Sequence, residues 1–392
     1  MHILILSSGS TAVDPHREAA VQDLARALHR SGCRVGVALL DAAPLTRIHP
    51  LLLLRRHFQI VEDDIERYPV MRVAGWETLP QTNLGGQATS HILQRLVRAY
   101  IEEHGQPDVI DAHDALWAGH AAMTVAQSIN TAFVVTEHGC SVPPRRLSAP
   151  LREIATKVYA SASAVVTTSE TTRAQLEEIR GIAFAEVVPP PIDTEYFTPR
   201  ATDDDRPFTI VAVGDRVNDE DAALLLRTFA MFRSCHGGRL VITGATKDER
   251  QLSALAKSHG CEDVVEFTGV LPRWHMKEFL REASVVMPSS NDRACTNTLL
   301  EALACGVPVI AIEGSGADEI VSRDLGVIVP ARDAEMLAVA MAEVRKSPYD
   351  PARVRQAAMD HLSNTASTER LRSIYHRAAT NPFNERTPSV VE

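Results

Sequence analysis

Residues 283–312, ASVVMPSSNDRACTNTLLEALACGVPVIAI, leave this chain few folds to choose from. Val285–Met287 is a short apolar run bounded by turn residues, which reads as a buried parallel strand. Pro288 to Asp292 form a polar loop. Thr296 and Asn297 are good caps for a helix over Thr298–Cys305. Gly306 ends that helix, Val307-Pro308 turns the chain, and Val309–Ile312 is the next strand. In open parallel sheets, ligands gather beyond the carboxyl ends of the strands, where helix N-termini point amide N–H groups at anions. The loop is the expected ligand-binding edge.

The same rhythm runs along the chain. His2–Leu6 reads as a strand, and Val21, Leu24, Ala25 and Leu28 sit at helical spacing within His16–Ser31. Arg34–Leu40, Val109–Asp111, Ala132–Thr136 and Ala164–Thr168 follow as strands. Helices are expected over His91–Glu103, Leu116–Ile129, Pro150–Ala160 and Glu170–Ile179, the last capped by Ser169. A stretch rich in Pro and Asp, 189–207, reads as a linker. The rhythm then restarts with strands at Phe208–Val213, Arg239–Thr243, Val264–Phe267 and Gly326–Val329. The helices between them fall at Asp221–Phe232, Glu249–His259, Met276–Glu282 and Glu335–Arg345. The expectation is an α/β chain of two Rossmann-like, doubly wound parallel-sheet domains facing a cleft, 1–200 and 205–365. A tail helix, Thr368–Ala378 within 366–392, is expected to pack back on the first.

Composition excludes some functions. Lys plus Arg is 40 against 50 Asp plus Glu, a formal net charge of -10. A nucleic-acid binder needs a basic footprint, so no nucleic-acid partner is expected. The six cysteines show no CxxC or other metal spacing and fit reduced cytosolic thiols. MHILILSSGS reads as a strand rather than a signal peptide, and no apolar stretch is long enough to span a bilayer. The expected location is therefore cytoplasmic. Leu51–Leu54 followed by Arg55, Arg56 and His57 either rests on an anionic membrane surface or packs as a core helix. Gly9 alone falls short of a dinucleotide fingerprint, and no P-loop, HExxH or Ser-His-Asp arrangement is present.

EALACGVPVIA at 301–311 resembles the signature of the retaining glycosyltransferases of family 4, which have the GT-B fold. VITG at 241–244, VVEFTGVLP at 264–272, ADEIV at 317–321 and GVIVPARD at 326–333 agree in order. So do DVIDAHDALWAG at 108–119, VVTEHG at 134–139 and VVPPPIDTEYFTP at 187–199. The resemblance implies transfer of a sugar from a nucleotide-activated donor to a glycan or glycolipid acceptor, with retention and without a metal or other cofactor. It places Glu301 on the donor ribose, His113 beside the reacting sugar and Val270 at the base. Asn297 and Thr298 fall near the phosphates, with Gly214 and Arg216 in the phosphate-binding segment. Gly9, Ser10 and His138 fall on the acceptor side. Each has a plainer alternative: Glu301 as a helix residue with an exposed carboxylate, His113 as a satisfied buried histidine, Arg293 as a surface charge.

The departures bear on chemistry. Arg293 stands eight residues before Glu301, where the family carries its first glutamate. Asp215 and Glu220 occupy the positions of the family's phosphate-binding Arg and Lys. Pro15-His16 replaces a glycine pair, and Pro190-Pro191 replaces Asn-Gly. Losing one preorganised donor at a developing charge costs roughly 10²–10³ in rate. Compensation is expected from Arg216, one residue from the family cation, and from Arg293 turned toward a phosphate or an acidic sugar. The rival readings are a catalytically silent relative that binds nucleotide or glycan or supports a partner, and a sugar-nucleotide epimerase of the same architecture. The epimerase would need a cluster of catalytic carboxylates, which no motif supplies. No motif specifies an oligomeric state.

Overall fold

The computed structural model describes residues 1–8, 15–44, 58–63, 66–77, 83–138, 147–178, 185–200, 206–214, 216–246, 249–289, 296–362 and 364–381. The expectations for Gly9, Ser10, Leu51–His57, Asp215, Arg293 and Cys295 lie outside these residues, as does the side chain of Arg216. The chain forms two compact units, 1–191 with 365–392, and 192–364.

The first unit is built on an eight-stranded sheet. In chain order its elements are β1 (His2–Ser7), α1 (Pro15–Arg30), β2 (Arg34–Pro44), β3 (Ile60–Asp63), β4 (Val70–Glu77), α2 (Asn83–His104) and β5 (Val109–His113). A π-turn, Ala115–Gly119, leads into α3 (His120–Ile129), β6 (Ala132–Glu137), α4 (Ala149–Ser161), β7 (Ala164–Thr167), α5 (Glu170–Glu177) and β8 (Ala185–Val187). The strand order is β3-β4-β2-β1-β5-β6-β7-β8, parallel except for β3, which runs antiparallel along β4. Every residue of β1, β5 and β6 is buried, the mark of strands covered on both faces. Alternation splits them between two layers. Ile3, Ile5, Val109 and Val134 meet α1, while Leu4, Leu6, Ile110 and Val135 meet α2, α3 and α4.

The second unit holds β9 (Thr209–Val213), β10 (Arg216–Val217), α6 (Asp219–His236), β11 (Arg239–Thr243), β12 (Ala245–Thr246), α7 (Glu249–Ser258), β13 (Val265–Gly269) and α8 (Arg273–Glu282). It continues with β14 (Val285–Pro288), α9 (Thr296–Ala304), β15 (Val309–Ile312), β16 (Gly326–Val329), α10 (Ala334–Lys346) and α11 (Pro351–Leu362). The six-stranded sheet runs β13-β11-β9-β14-β15-β16, with every pair parallel. Helices α6, α7 and α10 cover one face, and α8, α9 and α11 the other. Gly306 stops α9 at φ 78, and a Cβ there would meet the Pro351 carbonyl at 2.6 Å, so only glycine suits the site.

Several elements differ from the sequence reading. Helix α9 begins at Thr296, so Thr296 and Asn297 belong to its first turn rather than capping it. The helix expected over Leu116–Ile129 opens instead as the π-turn. Strands β3 and β4 and helix α11 carry weak patterns of their own; β4 is placed by pairing with β2, β3 by pairing with β4, and α11 by packing on α9. Residues 192–200, read as linker, belong to the second unit. Ile192 and Phe197 are buried in its core, and Arg355 donates to the Phe197 and Thr194 carbonyls, both at 2.8 Å. The cause is hydrophobic burial, which outweighs the loop-like composition of this stretch.

Helix α12 (Asn364–Thr380) returns to the first unit, burying Leu371, Ile374, Tyr375 and Ala378 among β-strand side chains and α1. Ile374→Ala is expected to destabilise that unit by about 2–5 kcal/mol, read from chemical denaturation. A loss below about 1 kcal/mol would show that the α12 face does not complete the core.

Candidate functional site

In each unit, two neighbouring strands send the chain to opposite faces of the sheet. β1 leads to α1 on one face and β5 to α3 on the other; β9 leads to α6 and β14 to α9 in the same way. β1 pairs with β5, and β9 with β14. Connections that diverge leave a crevice beyond the carboxyl ends, where sheets of this kind bind ligands.

In the first unit this edge is polar. His113 ends β5, in register with Ser7 of β1 and Thr136 of β6. Its side chain is 0% exposed. His138 follows β6, half-buried, with Nε2 at 2.6 Å from His113 Nδ1 and the rings 4.7 Å apart. Asp114 next to them adopts φ 91, a region that L-residues rarely enter, and such strain gathers at functional sites. Its carboxylate accepts from Ser8 Oγ at 2.6 Å, so it bridges the ends of β1 and β5. It also accepts from the backbone N–H of Trp117 at 3.0 Å, capping the π-turn. Glu137 accepts from Ala115 N at 2.9 Å and from the Tyr159 hydroxyl at 2.7 Å. Sequence reasoning reached His113 and His138 but missed Asp111, Asp114, Glu137 and Tyr375. The acids of DAHD and EHG at the strand ends were the available signal.

In the second unit the carboxyl edge brings together Gly214 after β9, Val270 after β13, and Asn297 and Thr298 in the first turn of α9. Val270 is 46% exposed, whereas Thr298 is buried. The first-turn amides of α9 have no carbonyl four residues back within the helix, which leaves them suited to an anion. The backbone of Arg216 pairs with Ala245 in the small β10–β12 sheet. Glu301 lies in the second turn of α9 and is 7% exposed, which corrects the alternative of an exposed carboxylate. Its closeness shows at Cys305, whose thiol is pushed up to about 12 by burial first and by the Glu301 charge second.

Opposite charge stands where the family carries cations. Asp219, Glu220 and Asp221 form the first turn of α6, with Asn218 accepting from Asp221 N at 2.8 Å as cap. Carboxylates there complement the positive end of the helix. Asp221 pairs with Arg332, a half-buried residue after β16 that the sequence reading did not single out. Arg332 also donates to the Ser289 carbonyl at the end of β14, so it straddles the β9–β14 crevice. Away from both edges, Glu62, Glu103 and His104 bring possible metal-ligand atoms within 4.8 Å of one another on an exposed surface.

Comparison with known proteins follows this geometry. Residues 194–361 match the family "Glycosyl transferases group 1", and residues 18–196 match "Glycosyltransferase Family 4". A D-inositol 3-phosphate glycosyltransferase of Acidothermus cellulolyticus is 28% identical over 66% of this chain and 64% of its own length. Sucrose-phosphate synthase from Thermosynechococcus elongatus superposes with a TM-score of 0.74 at 18% identity, covering 97% of this chain and 99% of that one. HepE from Anabaena, solved with UDP and glucose, gives 0.70 at 16% identity over 95% and 98%. The chain spans less than two thirds of the length of the curated relatives it first matches. Its fold is GT-B, and the chain belongs to the group 1 glycosyltransferases.

Two predictions come from these contacts. Asp114→Ala removes a cap and leaves a Cβ residue at a strained φ, an expected cost of about 1–3 kcal/mol by thermal or chemical unfolding. Iodoacetamide at about pH 8 is expected to alkylate exposed Cys235 while the protonated, buried Cys305 stays unmodified in the folded chain, read by peptide mass spectrometry. Labelling of both at equal rates would contradict that environment.

Proposed function

We propose that this protein is a hexosyl-type transferase that moves a sugar from a nucleotide-activated donor to a hydroxyl of a glycan or glycolipid, with retention and without a metal. The second unit takes the donor. Glu301 holds the ribose hydroxyls, Val270 meets the base through its backbone, and the first turn of α9 at Asn297 and Thr298 faces the diphosphate. Gly214 lets the phosphates approach closely, with Arg216 and Arg293 as the cations that replace the family pair. The first unit takes the acceptor along Gly9, Ser10 and His138, with His113 as the catalytic-side histidine. A cytoplasmic site of action, with peripheral membrane contact through 51–57, fits a glycolipid acceptor. The observation that carries the reading is Glu301, a nearly buried carboxylate held on α9 beside the carboxyl edge of the sheet. The related inositol-phosphate enzyme and the UDP-bound neighbour support the substrate class.

A second reading has its own support. The acid-rich first turn of α6, with Glu220 exposed at a cation position, favours a silent relative that binds nucleotide without turning it over. Thermal shift separates the two from an inert fold. A nucleotide at 100 times its Kd is expected to stabilise the chain by about 2.7 kcal/mol. Glu301→Ala is expected to weaken nucleotide binding at least tenfold, about 1.4 kcal/mol, while the chain stays folded. Unchanged affinity in that variant removes the ribose assignment. Turnover with any sugar nucleotide decides for the enzyme, and binding without turnover decides for the silent relative. In a donor screen, uronic-acid nucleotides are expected to outcompete neutral hexose nucleotides if Arg293 meets the sugar.

A further inference from the structure

Asp111 is wholly buried on β5, two residues before His113 and on the same face of the strand. Each of its oxygens accepts a hydroxyl hydrogen, from Thr136 Oγ1 at 2.7 Å and from Tyr375 Oη at 2.6 Å. Burial first, and Asp111 beside it, push the Tyr375 phenol well above its ordinary 10, so it remains a donor. Both oxygens of Asp111 therefore serve as acceptors here. The oxygen bound by Tyr375 lies 3.4 Å from Nε2 of His113. A lone pair facing that acceptor oxygen would be repelled, whereas an N–H is attracted. Nδ1 of His113 then has no hydrogen, and its 2.6 Å partner, Nε2 of His138, must donate.

We infer that α12, acting through Tyr375 and Asp111, sets the proton arrangement of the His113–His138 pair. His113 carries its hydrogen on Nε2, His138 donates from Nε2, and Nδ1 of His138 becomes the basic nitrogen of the pair. Asp111 and Tyr375 are positioning residues, since both act through His113. His113 is fully buried and His138 half-buried, and both nitrogens of His138 are turned inward, Nε2 onto His113 and Nδ1 into the protein. Among the described residues, the other titratable groups around this network are Asp114 and Glu137 at the ends of β5 and β6, Tyr159 on α4, and Cys33 ahead of β2. Where the inference touches sugar transfer it rests on the proposed function, and there it fixes which nitrogens of the pair carry hydrogen beneath the acceptor side of the sheet edge.

The test needs no substrate, so its failure is separate from any failure of the transferase reading. The full chain is labelled with 15N-histidine and studied by two-bond 1H–15N correlation, with signals assigned through His113→Gln and His138→Gln. Both rings are expected as the Nε2–H tautomer at about pH 8. Tyr375→Phe keeps the ring and its packing but strips Asp111 of one hydrogen bond. It is expected to move the Nε2–H proton signal of His113 downfield, because a carboxyl that has lost one donor draws that hydrogen more strongly. Thr136→Val is expected to move it the same way and serves if Tyr375→Phe does not fold. An Nδ1–H tautomer at His113, or an Nε2–H signal that does not move downfield in the folded variants, overturns the inference.

Discussion

Parallel strand pairing with helices on both faces is the constraint from which the rest of this molecule follows. A strand covered on both sides has no face for water, so every residue of β1, β5, β6 and β9 is buried and most of them are apolar. Polar groups are then confined to strand ends and to the few interior places where partners wait. Helices wound onto opposite faces must part somewhere. They part between β1 and β5 in one unit, and between β9 and β14 in the other. Chemistry gathers at those points because only there do backbone amides and polar side chains lie open beside an organised core.

The interior polar groups show how a low-dielectric site is kept stable. Asp111 is 0% exposed yet meets two hydroxyls and an imidazole edge, so its charge is shared rather than stranded. Arg332 donates from one nitrogen to the Asp221 carboxylate and from another to the Ser289 carbonyl, so one guanidinium ties the start of α6 to the end of β14. Glu301 stands in another such environment; burial first, and the Glu301 charge second, raise the nearby thiol of Cys305. These are positions where losing a partner strands a buried charge, so the groups act as units rather than as separate contacts.

Much of the architecture was legible along the chain because its signals are local. The α1 stripe, the Ser169 cap that accepts from Thr172 N at 3.1 Å, and the Gly306 stop each depend on a few neighbouring residues. The elements that escaped were β3, β4 and α11, along with the folded state of 192–200. Their own patterns are weak, and distant partners place them. At the site, His113, His138 and Glu301 could be named because short motifs carried them. Asp111, Tyr375 and Arg332 could not, because each acts through a partner far away in sequence: Tyr375 lies 264 residues from Asp111, and Arg332 lies 111 from Asp221.

The sequence by itself determined that this chain alternates strands and helices, that the pattern runs twice, and that the 301–311 signature belongs to a sugar-transferring family. Periodicity and short motifs suffice for that, since both are written in consecutive residues. Only the tertiary structure decided that the last helix returns to the first unit and sets a hydroxyl under a buried carboxylate. It also decided that a wholly buried His113 pairs with a half-buried His138, and that Asp221 of α6 meets Arg332. Those facts depend on which surfaces are hidden together, and burial is a property of the folded whole rather than of any stretch of chain.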